Sequence, residues 1–498
     1  MAESTRIGIV CDMHLPNDVT SPQYAFLLMA AEQMKKDGVD TVICLGDLSS
    51  FGEIGSWKMY EEAMKDFTHY EVAGNSDVRD ASTREALLGA VKEATFQIGS
   101  RTVFGLNTPD AEITEKDRAR LENVKPGDII FLHHYMRTLT EDSRNWLTAL
   151  AERVPVTILH GHGHRHFDYY INGTRILGMP GLDPDKSIGN FPSFNYLTVS
   201  EEEVSLEEIW VKLPKEMLED VSRYFGISCV DNLRDVTYAM ENNVKNVELR
   251  CNGRDWTADM SLLPVLDAWR AKTEGYLSVH MPNLRYKDGE IQGIAQWREA
   301  LQYAVDVKAD GLTIHPPRVK LCDMPAGGEL WNAFLELYLE VIRTVPAEVK
   351  IGIENLHMEK TEKMGEDRGF GYLPPEVSSW IDALNEVVGS GRVGHVLDVG
   401  HARNNGNYAQ RYPVGRWYSI MGQKTVAYHI HQVVSGPNGA VNHSALECWF
   451  GPVINYTSYF YAWNQGKLNH VPVFLEVKGS ENYEKSMQGF KDMLEKAR

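Results

Sequence analysis

The chain reads as an α/β protein in two parts, of which the second is a (β/α)8 barrel. Three observations predict this. At 498 residues the chain exceeds the roughly 250–300 at which one hydrophobic core stops growing, so two or more domains are expected. From Phe225 onward, apolar runs and helical stretches alternate eight times, and eight βα units in about 275 residues mark such a barrel, with a doubly wound sheet as the alternative. Before that point five apolar runs each end in Asp, His or Asn, often after a glycine. Ligands gather at the carboxyl ends of strands in α/β sheets. The expected organisation is a first domain over 1–214, a linker helix over 215–224 after Pro214 breaks the chain, and the barrel over 225–498.

Composition excludes several classes. The chain is 43% hydrophobic and 24% charged, as a globular protein is, and its net charge is −19. That charge argues against a large phosphate-backbone footprint, which needs clustered Lys and Arg. Met1-Ala2-Glu3-Ser4-Thr5-Arg6 leads straight into a strand, so no signal peptide is expected. No apolar run of about 18 residues is long enough to span a membrane. Cys11, Cys44, Cys229, Cys251, Cys322 and Cys448 form no CxxC pair and read as buried thiols of a cytoplasmic protein without a membrane partner.

In the first half the expected strands are Arg6–Cys11, Thr41–Leu45, 69–73, Ile129–Leu132 and 154–159. They run into Asp12-Met13-His14, Gly46-Asp47, Gly74-Asn75-Ser76-Asp77, His133-His134 and His160-Gly161-His162-Gly163-His164-Arg165-His166. Each block alone has a structural explanation: Asp or Asn after Gly makes a turn or cap, and a strand histidine packs in a core. Together they place seven ligand-type residues at five strand ends, and such side chains can hold two divalent cations about 3.5–4 Å apart with one carboxylate bridging. The series Asp12-x-His14, Gly46-Asp47, Gly74-Asn75-x-Asp77, His133, Gly161-His162-x-His164 resembles the calcineurin-like metallophosphoesterases over residues 5–213, and Asn172 to Gly181 resembles their closing hairpin and Pro-Gly turn. The resemblance implies a four-layer α/β/β/α sandwich with two cations (Mn, Fe or Zn). One would sit on Asp12, His14, Asp47 and His164, the other on Asp47, Asn75, His133 and His162, with Asp47, Asn75 and Asp77 as catalytic candidates. The family usually has His where this chain has Ser76. A hydroxyl is a poor general acid, so another group must serve or the leaving group must be good; members of the family that also lack this histidine are mainly phosphodiesterases, so the resemblance implies diester over monoester substrates. His134 and His166 are the candidates for a replacement donor.

In the second half the expected strands are Gly226–Val230, Asn246–Cys251, Leu277–Met281, Gly311–His315, Val349–Glu354, Val393–Val399, Thr425–Gln432 and Val471–Val477. Strands three to eight end at His280, His315, Glu354, Asp398 with His401 beyond, His429 and Glu476, and His443 follows strand seven. Six consecutive strands ending in ligand types is not a core pattern, because buried charge needs a cation or a partner, and barrel active sites sit at that end. The stretches Val279-His280-Met281-Pro282, Ile314-His315-Pro316, Ile353-Glu354-Asn355, Leu397-Asp398-Val399-Gly400-His401, His429-Ile430-His431 and Leu475-Glu476-Val477 resemble the xylose-isomerase-like barrels. That group spans sugar isomerases, epimerases and an apurinic endonuclease. The resemblance implies one or more cations (Mn or Zn), the central one on Glu354, Asp398, His429 and Glu476, with the two glutamates as catalytic candidates. His280, His315, His401 and His443 match further ligands of the endonuclease-like members, whereas Val441 and Gln432 stand where those carry Asp.

The expected activity is metal-dependent phosphodiester hydrolysis in the first half, with a barrel acting on a sugar or sugar-phosphate moiety as isomerase, epimerase or hydrolase. The expected partner is a small sugar-containing phosphoester, with homo-oligomerisation left open. Two alternatives stand beside it: a nucleic-acid processing enzyme, against which the acidic charge counts, and an active phosphoesterase with a non-catalytic binding barrel.

Overall fold

The computed structural model describes residues 4–498 except 93, 187–190, 216–220, 252–255, 360–361, 363–364, 366, 390, 406–407, 437–438 and 448–453. The chain divides into two compact units: Met1–Pro214 with Val453–Tyr461 and Ala497–Arg498, and Lys215–Pro452 with Ala462–Lys496. The expected linker helix is a 3-10 turn over Val221–Tyr224, and residues 216–220 of it lie outside the described residues.

The first unit holds strands β1 (Thr5–Val10), β2 (Thr41–Cys44), β3 (Thr68–Glu71), β4 (Thr95–Ile98), β5 (Arg101–Leu106), β6 (Ile129–Leu132), β7 (Thr157–His160), β8 (Phe167–Ile171), β9 (Thr174–Gly178), β10 (Ser193–Val199) and β11 (Val204–Trp210). They form two sheets, ordered β11-β10-β1-β2-β3 and β4-β5-β6-β7-β9-β8. Side chains alternate across each strand, and the apolar runs are buried on both faces. Ile129 and Phe131 join Ile7, Ile9, Ile43 and Leu159 in the core between the sheets. Ile130 and Leu132 instead pack with Leu147 and Leu150 of the helix Glu141–Arg153. On the first sheet, the helix Pro22–Lys36 starts at an N-cap where Ser21 accepts from Tyr24 N–H, and Met34 packs so closely that a Cβ on Gly8 would lie 2.3 Å from its sulfur. Helix, sheet, sheet and helix make the four layers. β8 and β9 are joined by Asn172 (φ 47°) and Gly173 (φ 89°), the left-handed pair a two-residue hairpin turn requires.

The second unit adds β12 (Phe225–Ser228), β13 (Asn246–Arg250), β14 (Tyr276–His280), β15 (Arg285–Lys287), β16 (Glu290–Gln292), β17 (Gly311–Ile314), β18 (Lys350–Glu354), β19 (Val393–Asp398), β20 (Thr425–Ile430), β21 (Gln432–Gly436), β22 (Gly439–Ser444) and β23 (Val473–Leu475). Eight of them close a barrel in the order β12-β13-β14-β17-β18-β19-β20-β23, and β15-β16 and β21-β22 are separate hairpins. The last barrel strand is shorter than the expected 471–477 because Pro472 has no N–H to give a ladder, although its carbonyl still accepts from Tyr428 N–H (2.9 Å). Amphipathic helices cover the barrel. Glu329–Thr344 buries Trp331, Phe334, Tyr338, Leu339, Val341 and Ile342, the one-sided spacing of a core-facing helix. Trp380 is fully buried, with ring centroids 4.7 Å from Trp331, 5.2 Å from Tyr338 and 6.2 Å from Phe370.

Among the described residues no helix is long and apolar enough to cross a membrane. Five described cysteines are free and four of them buried, but Cys322 is exposed. It lies in the short turn Leu321–Asp323 rather than in a strand, which corrects the expectation of uniformly buried thiols. Cys448 is outside the described residues.

Trp380→Ala leaves a cavity where four aromatic rings meet, and such truncations cost about 3–5 kcal/mol. Urea unfolding should show a lower midpoint by that amount; a loss under about 1 kcal/mol would mean the aromatic cluster does not brace the barrel.

Candidate metal centres

Backbone geometry in the first unit is set for presenting side chains. Asp12, His14, Asp47, His162 and His164 all have positive φ, between 45° and 64°. This left-handed region is uncommon outside glycine, and Asp and His are among the few residues that enter it. Strain of this kind clusters at functional sites. The neighbouring glycines are needed for close approach. A Cβ on Gly74 would lie 2.5 Å from the Asp47 nitrogen, and one on Gly161 would lie 2.9 Å from Asp12 Oδ2.

The ligand-type side chains converge in two groups. In one, His14 Nε2 and His164 Nε2 face each other at 3.3 Å, His164 Nε2 is 3.6 Å from Asp12 Oδ1, and His14 Nε2 is 3.8 Å from Asp47 Oδ2. In the other, His133 Nε2 lies 3.4 Å from Asp47 Oδ1, 3.1 Å from His162 Nδ1 and 3.3 Å from Asn75 Oδ1. Asp47 thus turns one oxygen to each group. His133 Nδ1–H donates to Leu45 O (2.8 Å), which aims Nε2 inward, the backing that a ligating imidazole uses. The Asn75 oxygen lies among ring nitrogens; turned over, the amide nitrogen would donate to His133 and His162 at 3.3 and 3.0 Å. Its oxygen would then accept from Arg79 (3.0 Å) and Ser76 N–H (3.2 Å), whereas a cation, or a proton on His133 Nε2, favours the oxygen turned inward.

Electrostatics fit the same donor set. Burial lowers His162 to about 4 and His164 to about 3, and holds His14 well below its ordinary value, so all three are the neutral form that binds metals. Burial, with the Asp47 charge adding to it, pushes Asp12 up to about 7 against the opposing pull of His133. Burial would also raise Asp47, but His133, His14 and Arg79 outweigh it and keep its carboxyl well below the usual range. His133 is raised to about 9 against the effect of burial, chiefly by the charge of Asp47 and then by that of Asp12.

Four residues near the groups behave differently from expectation. Asp77 does not join them: Oδ1 accepts from Ser49 N–H (2.7 Å) and Oδ2 from Gly74 N–H (2.9 Å), so it holds the Gly74-Asn75 turn. Ser76 is buried and donates through N–H and Oγ–H to Asp47 Oδ1 (2.7 Å) and Oδ2 (2.8 Å), so it orients the shared carboxylate. His134 is turned to Thr108, burial lowers it to about 3, and His166 is exposed. Neither imidazole is placed to donate a proton. Sequence reasoning passed over Arg79, whose guanidinium donates to Ser50 O (3.3 Å) and acts on Asp47 and Asp77.

In the barrel Glu354 is the hub. Its Oε2 is 3.0 Å from His280 Nε2 and 3.1 Å from His315 Nε2, and its Oε1 is 3.3 Å from His429 Nδ1 and 3.4 Å from His401 Nδ1. His429 Nδ1 is also 3.2 Å from Glu476 Oε2, and His401 Nδ1 is 3.2 Å from Asp398 Oδ2. Glu354 Oε1, Asp398 Oδ2, His429 Nδ1 and Glu476 Oε2 are buried without a hydrogen-bond partner. Donor atoms of Glu354, Asp398, His429 and Glu476 lie within 4.8 Å of one another, as do those of His280, Glu354 and His429. These orphaned, converging atoms fit a divalent cation. Burial would raise Glu354, but His315 and His429 hold it well below its usual range; burial would lower His429, but Glu248 and Glu354 hold it well above.

Two barrel residues were missed. Glu248 on β13 is fully buried, 2.9 Å from His429 Nε2, and accepts from Ser228 Oγ (2.8 Å) and Thr313 Oγ1 (2.5 Å). A charged residue between Val247 and Leu249 was the available signal. His431 lies 3.1 Å from Asp398 Oδ1 and stacks on His443 at 4.4 Å. With His401 and His443 it makes a further group of three imidazoles. His443, at φ 59°, reaches it from β22.

A family model for the calcineurin-like phosphoesterase superfamily domain matches residues 5–201, and one for the xylose isomerase-like TIM barrel matches residues 245–495. No curated protein matches the chain. Among solved structures, a D-tagatose 3-epimerase-like protein is 20% identical over 55% of this chain and 98% of its own, with TM-score 0.38. A putative xylose isomerase from Rhodospirillum rubrum is 12% identical over 55% and 97%, with TM-score 0.41. A dimetal phosphatase from Danio rerio is 12% identical over 41% and 95%, with TM-score 0.32.

One buried imidazole stands outside the ligand groups. His395 is buried, stacks on Trp417, and meets Asn355 Oδ1 at 3.2 Å; burial lowers it to about 3 against the pull of Glu354 and Asp398. The unfolded chain therefore binds one more proton between about pH 3 and 6.5, so this contribution is intact above 6.5 and is lost as pH falls. In His395→Phe, stability should fall less steeply with acid, by up to about 1.4 kcal/mol per pH unit, in denaturant titrations at pH 7 and 5; parallel slopes would sink the assignment.

Proposed function

The chain belongs to the xylose isomerase-like TIM barrel family and carries a calcineurin-like phosphoesterase domain ahead of the barrel. From that premise we propose that the first unit is a metal-dependent phosphodiesterase for a small phosphoester. The observation that carries the reading is Asp47, with Oδ2 toward the Asp12, His14 and His164 group and Oδ1 toward the His133 and His162 group. Bound divalent cations would supply Lewis acidity, lowering the pKa of an attacking water and drawing charge from the phosphoryl oxygens. Asp12, His14, Asp47 and His164 would hold one of them, and Asp47, Asn75, His133 and His162 the other. Ser76 fixes the two Asp47 oxygens through its paired hydrogen bonds, and Asp77 fixes the turn that carries Asn75. Arg79 brings a positive charge that stays charged at any working pH. With Ser76 turned inward and His134 facing Thr108, this side of the site supplies fixed charge rather than a proton. That suits a leaving group of low basicity, as in an aryl or similarly activated diester.

For the barrel we propose action on a sugar or sugar-phosphate moiety, with Glu354, Asp398, His429 and Glu476 holding a cation. A hydrolytic version of that reading is favoured by the further three-imidazole group of His401, His431 and His443, which could hold a second cation beside the first, as two-metal hydrolytic sites do. The proposed location is the cytoplasm.

Removing a partner that stands behind a metal ligand costs about 10–100-fold in metal affinity or activity. Hydrolysis of an aryl phosphodiester with added Mn²⁺ should therefore fall about 10–100-fold in Ser76→Ala and further in Asp47→Asn, while Glu354→Gln leaves it unchanged. The monoester should be the poorer substrate. A monoester preference, or full activity in Asp47→Asn, would overturn the phosphodiesterase reading.

Metal content gives a second check. Gly74→Ala drives a Cβ into the Asp47 backbone, 2.5 Å from its nitrogen, and should cut bound metal per chain, by elemental analysis, without unfolding the protein by circular dichroism. Undiminished metal in a folded variant would remove Asp47 from the ligand set.

A further inference from the structure

We infer that the first unit holds a binding pocket for the organic part of its substrate, and that this pocket takes a nucleotide-like group: a planar heterocycle joined to an anion. Its place in the reaction rests on the phosphodiesterase reading above. A cavity of about 650 Å³ is lined by Tyr135, Arg137, Arg144, His160, Arg165 and Phe167, a size suited to a small ligand. It borders the second ligand group, since the Tyr135 ring lies 5.8 Å from that of His162.

Two features of the lining define the ligand. The first is aromatic: Tyr135 and Phe167 tilt toward one another with centroids 6.4 Å apart, and half-buried ring faces receive a planar base whatever its identity. His160 backs both rings, 5.7 and 6.0 Å away; it is 1% exposed and its Nδ1–H donates to Gly161 O (3.0 Å), so it fixes the rings rather than meeting the ligand. The second is charge. Among the described residues Arg137, Arg144 and Arg165 have no ion-pair partner, on a chain whose net charge is −19. A guanidinium fork matches phosphate or carboxylate oxygens two at a time. An uncharged alcohol would leave the arginines idle, and a bare sugar phosphate would leave the rings idle. A nucleotide uses both features.

The test is calorimetric titration of the intact, metal-loaded protein with adenosine 5′-monophosphate, ribose 5-phosphate and inorganic phosphate. Stacking is worth roughly 5–150-fold per base, so the nucleotide should bind at least about tenfold tighter than ribose 5-phosphate. Phe167→Leu and Tyr135→Leu should each shrink that ratio, and Arg144→Gln should weaken both ligands, with metal content per chain confirming an intact centre. Equal affinity for the two sugar phosphates, or a ratio unchanged in both ring variants, overturns the inference. Aryl phosphodiester hydrolysis is followed on the same samples. Nucleotide selectivity in a chain that hydrolyses no diester upholds the pocket and removes the phosphodiesterase reading. Hydrolysis without selectivity does the reverse.

Discussion

A charged group taken out of water must meet an opposite charge or give up its own, and both halves of this protein are built around that constraint. Asp12 and Asp47 are buried in the first unit, and Glu248, Glu354, Asp398 and Glu476 in the second. Apolar strands deliver each of them to a strand end or a barrel interior where no lysine or arginine could neutralise them all. Imidazoles fill the remaining space. His14, His133, His162 and His164 surround the first set, and His280, His315, His401 and His429 the second. Without a cation some of these rings must carry the missing charge, which is why His133 and His429 are raised while His162, His164 and His315 are lowered. Such a split among like groups in one cluster makes each cluster a candidate functional site.

The two units satisfy the constraint with different backbones. In the first, ligand-type residues sit in left-handed turns just after their strands, and glycines give way so that the turns can touch: Gly74 against Asp47, Gly161 against Asp12. In the second, His280, Glu354, Asp398 and His429 are still within regular strands, and the barrel's closure alone brings them together. Only His443 needs a left-handed residue, because it comes from a hairpin outside the barrel. Turn-borne ligands are positioned by local strain, and strand-borne ligands by register.

Much of this was legible in the sequence because each ligand type stood at the end of an apolar run, where a strand must stop. The eight barrel strands differ from expectation by one or two residues at their ends. What sequence reading missed depends on where a side chain points. Asp77 has the same setting as Asn75, yet both its oxygens are spent on backbone N–H groups. Ser76 looked like a missing acid, and its hydroxyl turned out to be bonded to Asp47. Glu248 lies mid-strand, where no strand-end rule looks. His431 needed the β21-β22 hairpin to bring His443 back over it, a pairing with no counterpart in local spacing.

The barrel's internal neutralisation bears on what a cation would do there. His429 lies between Glu248 and Glu354, and Arg250 is paired with Glu476, so most of the buried charge has a partner within the protein. A cation on Glu354, Asp398 and Glu476 would have to displace the His429 proton and compete with Arg250, and ligand deprotonation of this kind weakens apparent affinity. In the first unit a cation would likewise have to displace a proton that Asp47 and Asp12 favour on His133 and one that burial favours on Asp12. Burial holds His14, His162 and His164 below their ordinary values there, as it does His315 and His443 in the barrel. Each unit therefore offers some imidazoles already neutral and sets a few protons against a cation, so that metal uptake at both should strengthen as pH rises.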